Sequence, residues 1–262
     1  MNDEEATLFG FIPKILLFLL IFLCLIFKIN LIYSYLITSI ISLGLVLYLK
    51  WHRAYSLETF LDKYCDPELY IEFLNELAEK NCEKQKQLIL INIYRSRGYM
   101  YLGDNISAID CLKEIEPILK RLNNKLYTIY VINLLLNYYA LGEIEEAELL
   151  YEKKKSLLRL SESKSKLQVE FLMAERYYFL KEYNLSYANF KRLHKKKLLK
   201  GQNLWILFRL AQMEIQNGMY DDAATKLVMV VTQGKLMWIV DASNKLLKEI
   251  QERRSRNTYY VD

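Results

Sequence analysis

Two long apolar runs open the chain, and a helical periodicity follows them. Residues 8–27 contain a single charged side chain, Lys14, and residues 31–49 contain none. A helix of about 20 apolar residues is long enough to cross the hydrocarbon core of a bilayer. We therefore predict a transmembrane hairpin within residues 1–50, with spans at about 8–27 and 31–49, and with Lys14 extended to the interface.

The positive charges beside these runs predict their orientation. Lys14 lies at one side, Lys50 and Arg53 follow the second run, and the short connection carries only Lys28. Loops rich in Lys and Arg stay on the cytoplasmic side, so both ends of the hairpin are expected in the cytosol. The acidic first residues argue against a cleaved signal peptide. We expect an integral protein of a bacterial plasma membrane.

A stripe of small residues, Ser34, Thr38 and Ser42, recurs at every fourth position of the second run. Small side chains on one face let membrane helices approach closely. The stripe is predicted to pack either against the other span or against a second membrane protein.

A repeat of about 39 residues fills the rest of the chain. Segments that start at residues 103, 142, 181 and 218 place a small residue five positions after the start and a large residue four positions later. The small residues are Ala108, Ala147, Ser186 and Ala223, and the large ones are Leu112, Tyr151, Phe190 and Leu227. An earlier, degenerate copy is expected to place Leu69 and Phe73 at these positions. Small side chains allow close helix approach, so the pattern predicts stacked helix pairs.

Local signals at the ends of the predicted helices support this division. Asp66, Pro67 and Glu68 form a typical helix start, with a capping side chain, a proline at the first position and an acid in the first turn. Gly142 and Gly218 are suited to end a helix. The apolar spacing of residues 235–254 predicts a terminal capping helix.

The repeat resembles the tetratricopeptide family over roughly residues 51–250, although its period is longer than that of the family and most units lack the closing proline. The resemblance implies an all-α fold, a tetratricopeptide-like solenoid of helix pairs preceded by two transmembrane helices. Its domains are the hairpin at 1–50 and the repeat domain at 51–256.

The resemblance also implies a binding surface. In such proteins the first helix of each pair lines a concave face that holds a peptide or a partner helix. The matching positions here are Tyr94, Arg97, Tyr101, Asn133, Tyr139, Gln168, Glu175, Tyr178, Trp205, Arg209 and Gln212. Rings, amides and guanidinium groups together suit peptide recognition. The alternative interpretation is that the tyrosines only pack within the domain.

Composition narrows the function further. The net charge is +5, and the basic runs at 153–155, 195–197 and 253–256 are either solvated or attracted to an anionic membrane; no nucleic-acid motif accompanies them. Four cysteines and two histidines lack metal-site spacing, and no phosphate loop or nucleophile motif occurs. We therefore expect no enzyme activity, metal, cofactor, nucleic-acid partner or small-molecule substrate.

Three functions agree with these observations. The first is a membrane-anchored scaffold or adaptor that holds a protein or peptide partner at the cytosolic face. The second is a regulatory sensor that binds a peptide in its groove. The third is an accessory subunit of a membrane assembly or export complex, in which the small-residue stripe contacts a transporter.

Overall fold

The computed structural model of the chain describes residues 39–41, 44, 59–80, 85–119, 124–160 and 162–258. The chain divides into two compact units, Met1–Glu58 and Thr59–Asp262. In the first unit, the described residues are helical, and Ile40 and Ile41 are exposed.

The predicted spans lie almost entirely outside the described residues, as do Ser34, Thr38 and Ser42. None of the helices that are described is both long enough and apolar enough to cross a membrane. The hairpin and its stripe stay predictions.

The second unit is built from helices throughout its described part. Residues 59–64 are helical, and ten longer helices follow. These are α1 (Pro67–Glu79), α2 (Gln85–Leu102), α3 (Asn105–Leu119), α4 (Asn124–Leu141), α5 (Ile144–Leu160), α6 (Glu162–Phe179), α7 (Tyr183–His194), α8 (Lys200–Gln216), α9 (Tyr220–Gln233) and α10 (Trp238–Thr258). Each helix packs on its neighbour in sequence, and α4 also packs on α2 and α6. The result is the all-α, repeat-like array of helix pairs that the sequence predicted.

The same turn begins each of the four predicted segments. Gly103, Gly142, Lys181 and Gly218 all have positive φ values, from 62° to 84°. In each turn the next residue donates its backbone N–H to the carbonyl five positions earlier, at 2.9–3.1 Å. These acceptors belong to Tyr99, Tyr138, Tyr177 and Glu214. This left-handed cap closes the first helix of each pair, and Lys181 adopts it without being glycine.

The small positions lie where the two helices of a pair touch. Ala108, Ala147, Ser186 and Ala223 are each 0% exposed. Between α6 and α7 the contact is direct, because the Ser186 hydroxyl donates to the Ala174 carbonyl at 2.9 Å. The large partners, Leu112, Tyr151, Phe190 and Leu227, are buried as well. The predicted register is therefore confirmed in all four segments.

The register predicted for the first pair is wrong by one residue. Leu69 is half exposed and Phe73 is only partly buried, whereas Tyr70 and Leu74 are 0% exposed. The turn lies at Cys65, whose φ is +55°, so the fifth residue after it is Tyr70. The helix start at Asp66 is confirmed: its carboxylate accepts from the Leu69 N–H at 3.2 Å, and Pro67 is the first helical residue.

We expect Ala147→Leu to destabilise the fold by about 1–3 kcal/mol, because the added methyl groups have no space between α4 and α5. The matched control is Ala188→Leu, since Ala188 is exposed on α7. Thermal unfolding followed by circular dichroism measures both. Equal melting temperatures for the two variants would contradict the register.

Candidate functional site

The predicted binding residues lie on the first helices of four pairs, α2, α4, α6 and α8. We call the surface that these helices and residues 59–64 turn toward one another the inner surface. Six of the predicted residues are buried in it: Tyr101, Asn133, Tyr139, Glu175, Trp205 and Arg209. Tyr94, Arg97, Tyr178 and Gln212 are partly exposed, and Gln168 is exposed. The predicted set is therefore divided between packing positions and accessible ones.

Asp62, in the helical segment before α1, fills one part of the inner surface. Its carboxylate is 0% exposed, forms an ion pair with Arg97, and accepts from the Tyr101 hydroxyl at 2.6 Å. Gly201 of α8 permits this approach, because a Cβ there would lie 3.0 Å from the Asp62 Cα. Residues 59–64 thus occupy the position of a first helix and bridge α2 to α8.

Aromatic rings join α2, α8 and α10. The Tyr101 and Trp205 rings lie 5.3 Å apart between centroids, and Trp205 lies 5.6 Å from Trp238 of α10. The Phe208 ring also contacts Trp238, with 5.3 Å between centroids. Edge-to-face contacts at these distances stabilise the packing beyond the area they bury. Because side chains of α2 and α8 meet here, the inner surface is closed where Tyr101 contacts Trp205.

A second polar cluster lies between α6 and α8. The Glu175 carboxylate is 1% exposed; it accepts from the Trp205 indole N–H at 2.8 Å and from Arg209 Nη2 at 2.8 Å. The Arg209 guanidinium also lies 4.2 Å from the centre of the Tyr178 ring and donates to Gln212 at 2.9 Å. Its fork and plane are both used inside the protein, so it has little capacity left for a partner carboxylate.

The pKa values follow this burial. Burial acts to lower the pKa of Arg97 and of Arg209, but the charges of Asp62 and Glu175 outweigh it, and both pKa values are raised. Burial, followed by the charge of Asp62, raises the pKa of Tyr101 well above its usual value. Both arginines are therefore cationic and Tyr101 is neutral at physiological pH.

Within the described residues, no three His, Cys, Asp or Glu side chains converge as metal ligands.

A third cluster links α4, α5 and α6. Glu148 accepts from Arg176 Nε at 2.8 Å and from the Tyr139 hydroxyl. Burial acts to raise the pKa of Glu148, but these hydrogen bonds outweigh it and the pKa is lowered. Burial and the Glu148 hydrogen bond raise the pKa of Tyr139. Tyr139, predicted to contact a partner, is instead held within the domain.

We expect this cluster to make stability fall in acid. A carboxyl with a lowered pKa stabilises the fold fully above its unfolded pKa, about 4.3, and loses that contribution as the pH falls through its folded pKa. Glu148→Gln removes the titrating group, so its urea midpoint should fall less between neutral and acid pH than that of the unaltered chain. Glu152→Gln is the control, because that side chain is 57% exposed. Parallel midpoint curves for Glu148→Gln and the unaltered chain would contradict the assignment.

The outer surface has a feature that the sequence analysis missed. The second helix of every pair exposes at least one large apolar side chain, between 39% and 75%. We call this set the outer row: Leu69, Ile106, Leu149, Leu185, Val228 and Met229. By contrast, the described first helices expose only Leu141, at the end of α4, and Tyr64, at the end of the segment 59–64. These residues do not share one position in the repeat, so the repeat pattern does not single them out.

Comparison with known proteins adds no relative. No family model, curated protein or solved structure matches the chain.

Proposed function

We propose that the chain is a membrane-anchored, tetratricopeptide-like scaffold that holds a partner protein at the cytosolic face of a bacterial plasma membrane. Two observations support the two parts of this proposal. The apolar runs at 8–27 and 31–49 are long enough to anchor the chain. The helix-pair register, with its buried small residues and repeated turns, is the arrangement that such scaffolds share.

The outer row is the observation that carries the binding function. A single exposed apolar residue on a helix is ordinary, but here each of the five second helices presents at least one. These side chains all belong to second helices and not to the first helices that form the inner surface. A partner with its own apolar strip, such as an amphipathic helix, would remove them from water together.

The inner surface is a less favourable binding site for an extended peptide than the outer row is for an amphipathic helix. Tyr101, Trp205 and Arg209 would each lose an internal contact if a peptide displaced them. Breaking one buried charged pair leaves the other charge uncompensated, which opposes binding. The partly exposed inner residues, Tyr94, Tyr178 and Gln212, remain as a smaller contact area.

The test uses the full chain, affinity-purified from detergent extracts of its own cells. The variant Leu149→Ser/Leu185→Ser removes the centre of the outer row, and Glu145→Ser/Glu182→Ser is a control on the same two helix pairs. We expect a specific partner to be captured by the unaltered chain and the control and to be lost from the outer-row variant. Extraction of membranes with alkaline carbonate should leave the chain in the pellet.

Other results would favour the remaining functions. Loss of the partner on Gln168→Ala/Gln212→Ala, with the outer-row variant unaffected, would move binding to the inner surface. A rise in melting temperature with a short peptide, and no captured protein, would favour the sensor. Loss of the partner on Thr38→Leu alone would favour an accessory subunit that binds within the membrane.

A further inference from the structure

Connections at the two ends of the helix stack differ in charge. Because sequence neighbours pack side by side with short connections, alternate connections lie at the same end. At one end, the first five residues of the segments at 103, 142, 181 and 218 contain seven acids and a single base, Lys181. The other end contains the connections from α5 to α6 and from α7 to α8, together with those from α1 to α2, α3 to α4 and α9 to α10. We call the part of it around the first two of these connections the basic end.

Lysine and arginine dominate the basic end. Its described basic side chains are Lys153, Lys154, Lys155, Arg159, Lys166, Lys191, Arg192, Lys195, Lys196, Lys197 and Lys200. The described acids of the same stretches, Glu152 and Glu170, are each paired with a lysine, Lys155 and Lys196. The sequence adds Glu162 and Lys164, whose charges cancel. A net positive surface therefore remains.

Helix dipoles account for only part of this charge. Bases at the carboxyl end of α7, such as Lys191 and Arg192, and acids at the amino ends of second helices complement the dipole. Lys195, the C-cap residue of α7, belongs with them, but Lys197 and Lys200 do the opposite, since they precede or begin α8, where positive charge is unfavourable. The amino end of α8 has neither an acid in its first turn nor a side-chain cap. These lysines are exposed, and no ion pair with another described residue is found for them.

The connection that carries these lysines is fixed to the domain core. Leu198 packs against the buried cluster that contains Phe190, Leu193 and Ile206. Leu199 beside it is half-buried. The two leucines thus hold the loop against the domain, and the exposed lysines on either side keep their charges at its surface, where they can meet lipid headgroups.

We propose that the basic end binds the surface of an anionic lipid bilayer and so sets how the repeat domain lies on the membrane. The proposal rests on the membrane anchorage proposed above. Only nine residues, 50–58, separate the second apolar run from the second unit, a reach of about 30 Å when fully extended. The bilayer is therefore the anionic surface that the domain meets at the highest effective concentration.

The experiment uses the full chain reconstituted into vesicles of phosphatidylcholine, with or without phosphatidylglycerol. An amine-reactive reagent labels the lysines, and mass spectrometry maps them. In the anionic vesicles we expect Lys195, Lys197 and Lys200 to react about fivefold or more slowly. The attraction of each lysine ammonium to an anionic surface is about 1 kcal/mol, which corresponds to about that factor. High salt should abolish the difference. The exposed Lys113, Lys245 and Lys248 should react equally in both vesicles.

A charge-removing variant separates the surface from single lysines. Lys195→Gln/Lys197→Gln/Lys200→Gln should reduce the lipid-dependent protection of Lys153 and Lys191, whereas Lys113→Gln/Lys245→Gln/Lys248→Gln should preserve it. All six side chains are exposed, so both variants should fold.

The proposal is overturned if the basic-end lysines react equally in the two carbonate-resistant vesicle preparations. It is also overturned if duplex DNA protects them in the detergent-solubilised chain more strongly than anionic vesicles do. Release of the chain by carbonate would instead contradict the proposed membrane anchorage.

Discussion

Arg209→Met is expected to lower the free energy of unfolding by about 3–5 kcal/mol, because it leaves the buried Glu175 carboxylate without its cation. For a unit of this size that loss corresponds to a fall in melting temperature of roughly 6–20 °C. Thermal unfolding of the full chain in detergent, followed by circular dichroism, measures the change. The methionine keeps most of the buried volume, so the cost arises from the charge.

Two further variants test that cause. Arg209→Met/Glu175→Gln removes both charges but keeps an acceptor for the Trp205 indole, so it should recover much of the lost stability. Lys80→Met removes an exposed ion pair with Glu76 and should change stability by about 1 kcal/mol or less. A double variant no more stable than Arg209→Met would show that packing, and not the uncompensated charge, sets the cost.

Asp62→Ala is expected to destabilise the fold to a similar extent, about 3–5 kcal/mol, because Arg97 and Tyr101 lose their shared carboxylate. Urea unfolding of the full chain measures the loss. The consequence reaches beyond residues 59–64, since this carboxylate joins α2 to the side of α8 that carries Gly201.

Asp66→Ala is the control for Asp62→Ala, because Asp66 lies four residues later and only caps α1. Loss of such a cap costs about 1 kcal/mol. If the two substitutions lower the free energy of unfolding equally, Asp62 stabilises only its own segment, and the proposed link between α2 and α8 is wrong.

Much of the helix-pair register could be predicted from the sequence, because its causes are local. A residue in the left-handed conformation ends each first helix, and a small residue follows at a fixed distance, so Gly142 and Ala147 are visible in a short window of sequence. The first pair was misplaced by one residue because Cys65 supplies the turn there instead of glycine, and because Tyr70 replaces the small residue.

The burial of side chains in the inner surface could not be predicted in the same way. Position in the repeat places Tyr101, Glu175 and Trp205 on the first helices, but their burial depends on contacts between residues far apart in the sequence. Asp62 and Trp238 come from the two ends of the array, outside the four helix pairs α2 to α9, and both contact residues of the inner surface. The pattern of each repeat contains no information on how far the array curves.

The reactivity of the Cys65 thiol tests most directly whether the array closes around its own first helical segment. Cys65 is 0% exposed at the end of that segment, and burial raises its pKa, which further reduces its thiolate fraction. We predict that maleimide modifies Cys65 in the full chain only under unfolding conditions, as mapped by mass spectrometry. Modification of Cys65 in the folded protein at the rate of an exposed thiol would contradict the closed inner surface.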